Sequence, residues 1–67
     1  MNIIRERQDK RRADVTLVQE LIKTNLREEK ALNRKELVVA IMSELTISRR
    51  TAGEYLDVAL YNEGINL

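Results

Sequence analysis

The stretch "TISRRTAGEYLDVALYNEGI", Thr46 to Ile65, decides the fold because it contains a whole helix with its start and stop signals. Ser48 belongs to the residue types that cap helix N-termini best, and Gly64 is typical of a left-handed helix terminator. One stripe between them is apolar at helical spacing and comprises Ala52, Tyr55, Leu56, Ala59 and Leu60. This pattern predicts an α-helix that buries one face.

A second helix is predicted just upstream of this one. Asn33 and Glu36 have the spacing of a capping box, and Leu32 and Leu37 flank the cap at the positions of a hydrophobic staple. The inward face of this helix would hold Leu37, Val38, Ile41 and Leu45. The alternative is a buried strand, because "ELVVAIM" is compact and partly β-branched. The cap favours the helix.

The first helical pattern runs from about Thr16 to Lys30. Thr16 with Gln19 resembles a capping box, and Asp14 is a competing cap. The predicted apolar stripe consists of Val18, Leu21, Ile22 and Leu26. Residues 5–12 are polar all round, so we expect residues 1–13 to form a basic N-terminal arm or a helix extension, and residues 14–67 to form the folded domain.

Composition supports an all-α or nearly all-α fold. The 67 residues include no proline, cysteine or histidine and only two glycines, so neither disulfides nor an ordinary zinc site can stabilise the chain. Apolar residues make up 43%, enough for a small core. The connection between the last two helices, roughly Glu44 to Ile47, is so short that the helices must cross steeply, as in a helix-turn-helix. We predict a three-helix bundle that contains this motif.

The segment "ELTISRRTAGEYLDVALYNEGI" resembles the helix-turn-helix of winged-helix DNA-binding domains. Their recognition helix often runs Ser-x-x-Thr, then apolar positions, then glycine and an apolar residue. The matching positions here are Ser48, Thr51, Ala52, Leu56, Leu60, Gly64 and Ile65. The resemblance covers residues 16–65 when the first helix is counted, and it implies a winged-helix-like fold with the third helix, about residues 48–62, as the DNA-recognition helix.

Two features depart from that family. Thr46 stands where the family commonly has glycine in the turn. A wing requires two strands after Gly64, and only three residues follow, so we expect little or no wing. The N-terminal "NII" is the one obvious local candidate for a strand that could pair with "INL".

The resemblance implies a DNA-binding surface at the start of the third helix. Arg49 and Arg50 could bond bidentately to guanine or clamp a phosphate, and Ser48 could donate to a phosphate. Gly53, unfavourable in a helix interior by about 1 kcal/mol, would permit close approach of DNA or of the second helix. The alternative for the arginine pair is an ordinary solvated surface.

Further cations lie outside the third helix. Arg34 and Lys35 could contact the phosphate backbone beside the groove. The tail cations Arg5, Arg7, Lys10, Arg11 and Arg12 could do the same or reach the minor groove, although Glu6 and Asp9 among them fit an ordinary soluble extension equally well. The net charge is +1, but residues 51–67 carry −3. Glu54 and Asp57 would oppose binding if they faced the duplex.

Nothing in the sequence indicates an enzyme or a cofactor. The serines lack a histidine to activate them, there is no phosphate-binding glycine loop, and no carboxylate cluster resembles a metal site. No run reaches membrane-spanning length, and we expect a cytoplasmic, nucleoid-associated or otherwise intracellular protein. We therefore expect a homodimeric transcriptional regulator that binds double-stranded DNA. The alternative is a winged-helix-like docking module within a larger assembly.

Overall fold

The structure, a computed structural model, describes the backbone of residues 3–67 and the side chains of residues 9–67. It contains three helices: α1 (Ile3–Arg27), α2 (Arg34–Leu45) and α3 (Arg49–Glu63). Residues 3–67 include no strand, so "INL" pairs with nothing and no wing forms there. The predicted all-α three-helix fold is confirmed.

The core is centred on α3, which packs against both α1 and α2. Ala52, Leu56 and Ala59 of α3 are fully buried, and Leu60 is nearly so. The other two helices complete the core with Val15, Val18, Ile22, Leu37 and Ile41. Tyr55 is half-buried and packs against this cluster. The stripe predicted for α3 is therefore confirmed, including core packing for Tyr55.

The start of α2 is as predicted. The Asn33 side chain accepts a hydrogen bond from the backbone N–H of Glu36 at 3.1 Å, which forms the first of the two bonds of a capping box. Leu37 is buried, and Leu32 packs against the core from before the cap. The strand alternative for "ELVVAIM" is wrong because this cap commits the segment to a helix.

Both predicted ends of α3 are also confirmed. The Ser48 side chain accepts a hydrogen bond from the Thr51 N–H at 3.2 Å. At the other end Gly64 is left-handed with φ 68°, and the Gly64 and Ile65 N–H groups donate to the carbonyls of Tyr61 and Leu60. This is the hydrogen-bond pattern of a Schellman motif.

The periodic segment predicted from about Thr16 to Lys30 is wrong at both ends, and residues 3–13 form the helix extension that was one of the two expectations for the N-terminal segment. The helix begins at Ile3 and not at Thr16, because residues 3–15 contain no proline or glycine to stop it. Thr16 does not cap: its hydroxyl donates to the carbonyl of Arg12 at 2.9 Å, within a continuous helix. Ile3 and Ile4 are helical, so the candidate strand "NII" is wrong for these two residues, and Asn2 lies outside the described ones. The helix ends at Arg27, before Lys30.

The stripe of α1 also needs correction. Val18 and Ile22 are buried and Leu21 is half-buried, but Leu26 is 49% exposed. The buried face continues upstream instead, to Val15 and to Asp14, whose carboxylate lies 3.8 Å from Lys10 Nζ. Leu26 is exposed because α1 ends one residue later and the chain then turns toward α2.

The connection between α2 and α3 is a three-residue turn. Thr46 adopts the left-handed conformation, with φ 54° and ψ 53°, Ile47 packs against the core, and Ser48 caps α3. The backbone at Thr46 thus has the conformation that the family's usual glycine would favour. The left-handed backbone of Thr46 allows the chain to change direction within three residues.

The molecule is elongated, with extents of 43 × 21 × 17 Å. The long axis reflects α1, which at 1.5 Å per residue exceeds α3 by about 15 Å. Buried residues on α1 begin at Asp14, and residues 9–13 are exposed. Among the described residues, no helix combines the length and the apolar character needed to cross a membrane.

Candidate nucleic-acid interface

A groove of about 540 Å³ lies between α2 and α3, and we call it the α2–α3 groove. It is lined by four cations (Arg34, Lys35, Arg49 and Arg50), two carboxylates (Glu54 and Asp57), and Val38, Val39 and Gly53. Five of the eight residues predicted to bind DNA therefore meet at one surface. A sixth, Ser48, caps the helix that carries Arg49 and Arg50.

The four cations of the groove all come from first turns of helices. Arg34 and Lys35 directly follow the Asn33 cap, and Arg49 and Arg50 directly follow the Ser48 cap. Each cap holds its helix start in place, so the positions of the cations follow from local sequence signals. The N-terminal ends of both helices also carry partial positive charge from unpaired backbone N–H groups. Side chains and backbone thus reinforce one positive potential.

The arginine pair of α3 is available to a ligand. Arg49 is exposed and makes no ion pair within residues 9–67. The side chain of Arg50 is 91% exposed, and its Nε lies 3.5 Å from Glu54 Oε1, one turn further along the same helix. An exposed contact of this length contributes little to stability and is screened by salt. Neither guanidinium is held inside the protein.

Arg34 is held more firmly than its neighbours. Its Nη1 lies 2.7 Å from Asp57 Oδ1, which joins the first residue of α2 to the third turn of α3 across the groove. With Glu54 and Asp57 counted, the groove retains two net positive charges. The positive end lies at Lys35, Arg49 and Arg50.

Gly53 lies beside the Arg34 side chain. A Cβ built at residue 53 would be 3.7 Å from Arg34 Nη2, and no other atom outside its own helical turn and its chain neighbours comes within 4 Å. The backbone of α2 is therefore not close enough to require glycine. Close packing of α2 against α3 therefore does not explain the glycine.

The last two predicted residues, Arg11 and Arg12, lie in a different groove, between α1 and α3. They line it together with Val15, Val58 and Asn62. The Arg11 guanidinium carbon is 5.8 Å from the centre of the Tyr55 ring, a cation–π distance. α3 thus lies between two cationic grooves. The side chains of Arg5 and Arg7 lie outside the described residues.

Sequence reasoning missed the partners of two of these arginines. Asp57 pairs with Arg34 from 23 residues away, and the ring of Tyr55 underlies Arg11 from the far end of the chain. No local pattern signals either contact, because both depend on how α3 packs against its neighbours. Tyr61, which could have covered the helix end, is instead 85% exposed on α3.

The chemistry of the α2–α3 groove suits an extended anion. Guanidinium groups and helix N-termini are donors that match phosphate oxygens. We found no family model, curated protein or solved structure that matches this chain.

Proposed function

We propose that this protein binds double-stranded DNA, with α3 as the recognition helix, and acts as a small transcriptional regulator. The observation that carries the proposal is the convergence of two capped helix starts, with Arg34, Lys35, Arg49 and Arg50, on one exposed groove. Such a surface favours a polyanion over a neutral partner. The resemblance of residues 16–65 to winged-helix domains supports the same function.

Each cation has a role that follows from its position. In helix-turn-helix proteins the N-terminal residues of the second helix contact base edges in the major groove. Arg49 and Arg50 occupy that turn of α3 and would provide base preference. Lys35 and Arg34, across the groove on α2, would bind phosphates, and the Ser48 hydroxyl could donate to another.

The glycine in α3 supports this orientation. Gly53 lies on the groove face, one turn after Arg49, and the fold leaves room for a methyl group there. Because protein packing does not need the glycine, close approach of a duplex is the reason that remains among those considered. Because the Arg34 guanidinium lies beside this turn, a duplex there would contact the arginine and the glycine backbone together.

We infer that the active species is a homodimer. One helix of 15 residues offers few base contacts, and two-fold symmetric binding to a palindromic site doubles them. A groove of about 220 Å³ between α1 and α2, whose apolar lining includes Leu17, Leu21 and Leu45, supports self-association at this surface. Leu17 is 57% exposed. Light scattering at several protein concentrations tests this, and a strictly monomeric species would refute it.

DNA binding is tested by fluorescence anisotropy with a mixed-sequence duplex at several salt concentrations. On a mixed-sequence duplex Arg49 and Arg50 have no preferred base and contact phosphates, as Arg34 and Lys35 do, so four contacts predict a slope of log affinity against log salt of up to about −3.6. The slope of the Arg49→Ala/Arg50→Ala variant should be shallower by about 1.8, because two contacts are removed, and its affinity should be about 60-fold lower at 0.1 M salt. Its helix content should be unchanged, because both side chains are exposed.

A matched control removes two cations outside the groove. Arg27→Ala/Lys30→Ala makes the same change in net charge at the end of α1, where Arg27 contacts Thr24 and Lys30 pairs with Glu28. This variant should bind nearly as wild type does. Equal losses in both double variants would mean that overall charge, and not the α2–α3 groove, determines binding.

The second candidate function is a protein-docking module. The apolar groove between α1 and α2 favours it, since Leu17 there is 57% exposed and Leu21 is only half-buried. Absence of duplex binding at 50 mM salt, combined with a monomeric protein, would favour docking. Steep salt-dependent binding that requires Arg49 and Arg50 would favour DNA.

A further inference from the structure

Asp57 is an acidic residue on a surface that otherwise attracts anions. It lies on the same face of α3 as Gly53, one turn further from the helix start. A duplex that contacts Arg49 and Gly53 would therefore bring phosphates close to this carboxylate. Like charges at that distance repel, so Asp57 opposes binding unless its charge is neutralised.

Arg34 provides that neutralisation in the free protein. Its Nη1 donates to one carboxylate oxygen at 2.7 Å, and Nη2 extends over Gly53. The side chains of Arg34 and Asp57 are 48% and 63% exposed, so water and ions reach both partners. An ion pair this exposed is weak enough for another anion to displace the carboxylate.

We propose that Asp57 limits the affinity of the α2–α3 groove for nucleic-acid phosphate by competing for Arg34, an inference that rests on the proposed DNA binding. In the free protein Arg34 is bound to Asp57. In the complex a phosphate oxygen takes its place on the guanidinium, and the freed carboxylate faces the backbone. Binding then forms one contact between Arg34 and a phosphate. It also breaks the Arg34–Asp57 ion pair and leaves the Asp57 carboxylate close enough to the DNA backbone to repel it.

The consequence is a device that weakens sequence-independent binding. The affinity for a nonspecific duplex depends on phosphate contacts. The competition for Arg34 therefore lowers this affinity by nearly as much as the loss of one phosphate contact would. Base contacts from Arg49 and Arg50 are unaffected, because neither arginine touches Asp57. Asp57 would thus raise the ratio of specific to nonspecific affinity without contacting a base.

Asp57→Asn tests the proposal because it removes the competing charge and keeps the side-chain shape. Anisotropy titrations with a mixed-sequence duplex, from 50 to 300 mM salt, should show a slope steeper by about 0.9 and an affinity about eightfold higher at 0.1 M salt. In an Arg34→Ala background the same substitution relieves only the repulsion between Asp57 and the duplex, so its gain should be clearly smaller than in the wild-type background. Glu29→Gln, which removes one negative charge at an exposed position outside both the α2–α3 groove and the apolar groove between α1 and α2, controls for overall charge. Circular dichroism confirms that each variant is folded.

The outcomes separate this inference from the proposed function. If wild type binds and Asp57→Asn has the same slope, the competition does not occur. A gain that is equally large in the Arg34→Ala background would assign the whole effect to repulsion and would also overturn the inference. If neither wild type nor Asp57→Asn binds a duplex at 50 mM salt, the proposed DNA binding and this inference both fail.

Discussion

The Arg34 guanidinium lies over Gly53, with Nη2 3.7 Å from the position that a Cβ of residue 53 would occupy. This is an ordinary van der Waals distance, so the fold can accept a methyl group at that point of α3. A glycine inside a helix loses more backbone entropy on folding than alanine does. The glycine is therefore unfavourable for stability and is not required by its neighbours.

Gly53→Ala should stabilise the protein by about 1 kcal/mol, because alanine is the better helix former. For a domain of this size the melting temperature should rise by about 4–8 °C. Duplex binding should weaken, since the methyl group projects into the groove. Thermal melting and anisotropy measure the two effects on one sample.

The control for Gly53→Ala is Ser43→Ala, on an exposed position of α2 outside the groove. It should stabilise slightly through helix propensity and leave DNA binding unchanged. A destabilised Gly53→Ala protein would contradict the structure, because it would mean that α2 or α3 cannot accept the added methyl.

Thr46→Gly should also stabilise the fold. A non-glycine residue in the left-handed conformation costs about 1–2 kcal/mol, and Thr46 has φ 54°. Glycine relieves that strain. It also raises the conformational entropy of the unfolded chain, which lowers the free energy of unfolding by about 0.4–1 kcal/mol. We expect a net gain of about 0.5–1 kcal/mol in the free energy of unfolding, measured by urea titration.

Thr46→Ala is the matched comparison for the turn. Alanine lacks the branched side chain but still has a Cβ, so it should recover only part of the gain. A Thr46→Gly protein less stable than wild type would show that the turn does not hold this residue in the left-handed region.

Two substitutions at Ser48 separate capping from DNA contact. Ser48→Ala removes the acceptor for the Thr51 N–H and should cost about 1 kcal/mol. Ser48→Asp retains the cap and suits the positive helix end, so stability should be kept. The new charge lies beside Arg49, however, and should weaken duplex binding. Urea titration and anisotropy test the pair, and a Ser48→Asp protein with full DNA affinity would place the duplex away from this end of α3.

Two positions in α1 test the corrected stripe. Ile22 is fully buried, so Ile22→Ala should cost about 2–5 kcal/mol, enough to unfold most molecules of a domain this small. Leu26 is 49% exposed, and Leu26→Ala should change stability much less. Circular dichroism at 25 °C distinguishes the two, and equal losses would mean that Leu26 belongs to the core.

Local sequence signals were sufficient to predict a helix end wherever that end depends on one or two neighbouring side chains. The Asn33 and Ser48 caps and the Gly64 terminator act within four residues, and all three were predictable. The start of α1 was not. Thr16 and Asp14 are good caps in isolation, but a cap does not stop a helix that the preceding residues continue, and the Thr16 hydroxyl bonds to a carbonyl instead.

The candidate site likewise has features that the sequence predicts and features that depend on how the helices pack. Which cations stand at helix starts could be read from the sequence, because each directly follows a cap. That Arg34 and Lys35 share a groove with Arg49 and Arg50, while Arg11 and Arg12 do not, could not be read from it. That division depends on which sides of α3 the other two helices cover.

The sequence by itself determined three helices, the start of α2, both ends of α3, and the apolar face of α3. Capping and apolar periodicity operate over a few residues, so neighbours along the chain suffice to specify them. The tertiary structure decided that Asp57 neutralises Arg34, that Gly53 has room for a methyl group, and that Leu26 lies in solvent. These depend on distances between helices, which arise only when the apolar faces pack together and bring residues far apart in the chain into contact.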